Sequence, residues 1–131
     1  MLTGPVMNSS DAIETPATPV SDDINAKVRD LDELILLLRK SVPAGKTWGR
    51  QMQSQLKEAD RCVEVLRLTL LLAREPAEVA AASAEVRDII VAMDVSAAGG
   101  RADVTTRSAL VLIRRLAETV AKHFQPPPSG G

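Results

Sequence analysis

Two residues stand out as chemical candidates, Cys62 and His123, because each is the only one of its kind in the chain. A cysteine turns reactive when a helix N-terminus or a basic neighbour lowers its pKa. Cys62 falls in the middle of a long helical pattern, where the helix dipole offers no such help, so its position predicts a packed, inert thiol. A metal site in a helical bundle pairs Glu-x-x-His motifs on facing helices. The acid nearest to His123 is Glu118, five residues back and on a different part of the helix surface. His123 is therefore expected to interact with the terminal carbonyls of its helix. No catalytic residue, metal or cofactor is expected.

The carboxylates give the same answer. Asp30, Asp32, Glu33, Glu58, Asp60, Glu64, Glu85, Asp88 and Glu118 mostly project away from the apolar seams. A general acid or base owes its shifted pKa to burial or to a like-charged neighbour, and the pattern predicts solvated faces instead. A helical enzyme gripping a dicarboxylate needs inward-pointing cations, whereas Arg29, Arg39 and Lys40 fall off the seam of their helix. Gly99-Gly100 follows no strand, so it reads as a break between helices and not as a phosphate cradle. Thr105, Thr106, Arg107 and Ser108 open the last helix much as a recognition helix opens. The linker before them is long for a helix-turn-helix, and the charge balance also argues against nucleic acid.

Positioning these residues falls to a chain of 131 residues, close to the size of one domain. The hydrophobic fraction is 45%, enough for a substantial core, yet Trp48 and Phe124 are the only aromatics, so aliphatic side chains must fill it. Sixteen basic and 17 acidic residues are interspersed and leave a net charge of −1, without the clear basic excess of a polyanion-binding protein. A lone cysteine forms no intrachain disulfide and fits a reducing compartment. Met1 to Ser21 lacks the basic start and apolar run of a secretory signal. The longest apolar runs, such as Leu34 to Leu38, are far short of the roughly 20 residues that span a bilayer. A cytoplasmic protein is expected, or a nuclear one in a eukaryote.

Residues 1–20 and 125–131 carry Pro, Ser, Gly and Thr without periodicity and read as disordered tails. Thr15-Pro16 and Thr18-Pro19 match proline-directed phosphorylation sites, and Asn8-Ser9-Ser10 matches a glycosylation acceptor that lacks its secretory context. Pro126 to Pro128 has the composition of a proline-recognition ligand, although a plain tail is the simpler reading. Between the tails, residues 21–124 carry four helical patterns, over 22–42, 46–74, 77–95 and 103–124. In the first, Ile24, Val28, Leu31, Ile35, Leu38 and Val42 alternate spacings of four and three, with Ser21 as N-cap and Pro43 and Gly45 as stop signals. The second puts Trp48, Met52, Leu56, Ala59, Val63, Leu66, Leu70 and Ala73 on one face. The third opens beside Pro76 and buries Val79, Ala82, Ser83, Val86, Ile89, Ile90 and Met93. The fourth is capped by Asp103 and buries Ala109, Leu110, Ile113, Leu116, Ala117, Val120 and Phe124. Short links favour antiparallel neighbours, so the fold class expected is an all-α, up-down-up-down four-helix bundle.

The seams leave a surplus. Leu36, Leu37, Leu68, Leu71 and Val91 fall outside them, and Leu72 flanks the second. A contiguous exposed patch of this kind marks an interaction surface; burial of a central helix on two sides would instead absorb Leu68 and Leu72. The expected function is a non-enzymatic helical module, an adaptor, chaperone-like or assembly subunit, that binds a protein partner or itself through Leu36, Leu37, Leu68, Leu71 and Leu72. The first alternative is a small nucleic-acid-binding regulator using the basic face Arg107, Arg114, Arg115 and Lys122 of the last helix. The second is an enzyme with a pocket between helices.

Overall fold

The first heptad pattern forms helix α1, Asp22–Ser41, with Asp22 and Asp23 in its first turn and Arg39 and Lys40 in its last, each at the end that the helix dipole favours. The computed structural model of the protein describes residues 22–125. The expected N-cap Ser21, the two Thr-Pro pairs, Asn8 and the Pro126–Pro128 run all lie outside them. The remaining helices are α2, Thr47–Leu71, α3, Pro76–Ala98, and α4, Val104–Phe124. Among the described residues there is no strand.

Packing runs in a closed ring, α1 on α2, α2 on α3, α3 on α4 and α4 on α1, and among the described residues no backbones approach closely across a diagonal. Ion pairs fix the direction of the first pair. Asp32 meets Arg67 and Arg39 meets Asp60, so a seven-residue advance along α1 is a seven-residue retreat along α2. Between α2 and α3, Trp48 and Met52 share a cleft with Ser96 and Ala97, while Val65 and Thr69 share one with Glu78 and Ala82. These two helices are also antiparallel, and the up-down-up-down bundle expected from the short links is the fold.

The core is aliphatic. Leu31, Ile35, Leu56, Leu66, Ile90 and Met93 are all fully buried, each removing about 1.5–3 kcal/mol worth of apolar surface from water. Buried Ala59, Ala82, Ala97, Ala117 and Ala121 add little bulk and bring the helix backbones close together. Two polar side chains, those of Ser83 and Thr106, are buried with them. The Ser83 hydroxyl donates to the Ala80 carbonyl at 2.9 Å. Thr106 sits in the first turn of α4, where its backbone N–H donates to Oδ1 of the N-cap Asp103 at 2.8 Å.

Helix ends differ from the pattern in two places. α2 stops at Leu71, three residues before the expected Arg74, because Ala73 adopts the left-handed conformation with φ of 51°. Its N–H donates to the Leu70 carbonyl and that of Arg74 to the Thr69 carbonyl, both at 3.1 Å, which closes the helix in a Schellman motif. Ala73, assigned to the seam by spacing, is consequently exposed. α3, in contrast, continues three residues past Val95 and buries Ala97. The α1–α2 turn is tied from the side: Gln53 Nε2 donates to the carbonyls of Arg39, at 2.7 Å, and Val42, at 3.0 Å.

Candidate interaction surface

Leu36 and Leu37 follow one another on α1, and 100° per residue sends them to different sides of it. Leu36 lies on the flank that carries Asp32 and Arg39, four residues before and three after it, and so borders α2. Leu37 lies on the outer surface and is 60% exposed. The two do not form one patch.

At the far end of α2 the leucines do gather. Leu68 is 46% exposed, Leu71 79% and Leu72 66%, so the alternative in which α2 is buried on two sides does not hold. Leu68, Leu70 and Leu71 line a cleft of about 540 Å³ with Asn25, Val28 and Arg29 from the start of α1. Leu68 and Leu71 are exposed because they lie off the α2 face that buries Leu56, Val63 and Leu66, and Leu72 is the C-cap residue beyond the helix. Glu64 and Arg67 complete the cleft on the α2 side, where Arg67 bridges Asp32 at 3.3 Å and Glu64 at 3.6 Å. Leu36 is not part of this cleft. The sequence-predicted surface thus resolves into a leucine cleft at the α2 end, built on Leu68 and Leu71, and two separate apolar residues on α1.

The α1–α2 seam also joins carboxylates that the spacing assigned to solvated faces. Asp32 and Asp60 approach within hydrogen-bonding reach across the two helices, with Arg67 on one and Arg39, at 3.0 Å, on the other. Burial pushes the Asp32 carboxyl above its ordinary pKa, and the neighbouring charges of Asp60 and Glu64 add to this, while Arg67 opposes it. The arrangement is a charge-compensated cross-helix tie.

α4 carries its expected basic residues, and one of the four is ion-paired. Arg114 is held by Asp94 at 3.0 Å and Glu118 at 3.2 Å, which neutralises it. Arg107, Arg115 and Lys122 are exposed and have no ion pair among the described residues. Among them stand Val104, Val111 and Leu112, also exposed, which lie outside the apolar seam. Their absence from the seam was the available signal.

Cys62 is buried, and desolvation raises its thiol pKa, which fits a packed cysteine and not a nucleophile. His123 is exposed and meets Phe124 edge to face, with ring centroids 4.9 Å apart. No group of three or more His, Cys, Asp or Glu side chains among the described residues is arranged to hold a metal ion. No helix among them is long and apolar enough to cross a membrane. The class that fold and surface define is an all-α, antiparallel four-helix bundle with an exposed leucine cleft. Compared with known proteins, the chain matches no family model, no curated protein and no solved structure.

Proposed function

We propose that this protein is a non-enzymatic helical interaction module, an adaptor or assembly subunit that binds through the cleft between the start of α1 and the end of α2. One observation carries the reading: Leu68, Leu71 and Leu72 are exposed together at the end of α2, where Leu68 and Leu71 line a cleft against the start of α1. Leucines on an exposed helix face beside a cleft offer the apolar anchors that a partner helix or a second subunit buries. The flanking charges Arg29, Arg67 and Glu64 would set orientation and exclude wrong partners. In affinity capture from the native source, Leu71→Glu is expected to abolish recovery of the partner while Leu37→Glu, on a different surface, leaves it intact. A chain that is strictly monomeric and whose capture ignores both substitutions overturns the reading.

A second reading, a nucleic-acid-binding regulator using α4, draws support from Arg107, Arg115 and Lys122 on its exposed surface, which have no ion pair among the described residues. An electrophoretic shift whose strength falls steeply as salt rises would support it. The neutralised Arg114 and the acidic net charge place it behind the first.

A further inference from the structure

We propose that a cleft between the start of α2 and the α3–α4 link binds a nucleoside phosphate, its base stacked on Trp48 and its phosphate held by Lys46 and Arg101. This cleft lies at the other end of the bundle from the exposed leucines and does not depend on them. Its volume is about 750 Å³, within the usual range of a small-molecule site. Trp48 stands in the first turn of α2, where part of the indole packs against the core and part lines the cleft. A smaller crevice of about 110 Å³, lined by Met52, Gln55 and Ala97, also borders the ring. α3 ends at Ala98, and Gly99 and Gly100 then bring no side chain to cover the indole.

Two cations line the same cleft. Lys46 immediately precedes α2 and Arg101 follows Gly100; both are exposed, and neither has an ion pair among the described residues. Asp103 attracts Lys46 without pairing with it, while its carboxylate accepts the Thr106 N–H at 2.8 Å as the N-cap of α4. No acidic side chain among the described residues lines the cleft, so its walls do not oppose an anion. An aromatic face beside two cations suits a molecule that joins a flat ring to an anionic group. Bases stack on indole, a guanidinium grips phosphate through paired N–H groups, and an ammonium adds a point charge. Gln51 lines both openings, and its amide can donate to or accept from a base edge or a ribose hydroxyl. Inorganic phosphate would leave the indole unused, and an uncharged aromatic would leave both cations unused.

Trp48 is the only tryptophan and the chain has no tyrosine, so intrinsic fluorescence reports on this cleft directly. Titration of the full chain with AMP at constant ionic strength, to about 10 mM, should quench the emission to saturation with a Kd of about 1 mM or below. Lys46→Glu and Arg101→Glu should each weaken binding about tenfold or more. The helical circular dichroism should not change, because both side chains are exposed. Arg115→Glu, the same charge change on the exposed surface of α4, should leave the Kd as it is. Adenosine, which lacks the phosphate, should bind at least about tenfold more weakly than AMP, and inorganic phosphate should displace AMP without quenching by itself. A single-stranded oligoadenylate at equal nucleotide concentration should bind no more tightly than AMP, since two cations in one cleft hold one phosphate. Three results overturn the inference: a quench that does not saturate, a Kd indifferent to both Lys46→Glu and Arg101→Glu, or adenosine binding as tightly as AMP. Oligoadenylate binding far tighter than AMP overturns the mononucleotide and favours the nucleic-acid reading instead.

Discussion

Gly49, in the first turn of α2, lies directly against the carbonyl of Pro43, so that a Cβ at this position would overlap the carbonyl oxygen and stand 2.8 Å from its carbon. The obstacle is backbone, which cannot rotate aside like a flexible side chain. Glycine therefore permits the close return of the chain after α1, and Gln53 then ties α2 to the last carbonyls of that helix. Gly49→Ala gains about 1 kcal/mol of helix propensity. Overpacking against a fixed backbone costs more, and a net loss of about 2 kcal/mol is expected in urea unfolding. Gly45 has open space around it, so Gly45→Ala should stay within about 0.5 kcal/mol of the parent.

Ala73 makes the opposite case. It holds a left-handed backbone at the position after the C-cap of α2, where glycine is the usual occupant. A Cβ in that conformation is strained by roughly 1 kcal/mol. Ala73→Gly should relieve the strain while giving the unfolded chain more freedom, for a net gain of about 0.5 kcal/mol in thermal or urea unfolding. Because the side chain is exposed, no packing is lost. A loss of stability on this substitution would mean that the Schellman end does not form.

How much was legible in the sequence follows from these two residues. The seams were, because burial follows the 3.6-residue period: Leu31, Ile35, Leu56, Val63, Ile90 and Ile113 are all at the centre of the bundle where spacing placed them. Asp103 was legible as a cap, since a short acceptor before a helix has a local role. The end of α2 was not, because alanine at 73 gives no warning of a left-handed turn, whereas glycine would have. The candidate surface was legible as a set of off-seam leucines but not as a shape. Periodicity says that Leu36 and Leu68 leave the seam, without saying which neighbour each side chain then faces. The pairing of Asp32 with Asp60 lay beyond the pattern for the same reason, as it depends on the register between two helices.

That pairing yields a pH dependence. Asp32 is raised above the ordinary aspartate value of 3.8, first by burial, then by the charge and hydrogen bond of Asp60 and the charge of Glu64, against the pull of Arg67. The folded protein thus holds this proton more tightly than the unfolded chain does. A group of this kind contributes stability that is fully present below its unfolded pKa and is lost as pH rises through its folded pKa. Asp32→Asn cannot ionise, so it should match the parent below pH 3.8 and become the more stable of the two as pH rises through the raised native value, with a constant difference by neutral pH. Urea unfolding at a series of pH values measures this directly. A carboxyl NMR titration separates the causes: Asp60→Asn removes a like charge, so Asp32 should then titrate lower, though still held up by burial. An Asp32→Asn variant that is less stable than the parent at neutral pH would show that the Arg67 attraction outweighs burial, and would reverse the sign assigned here.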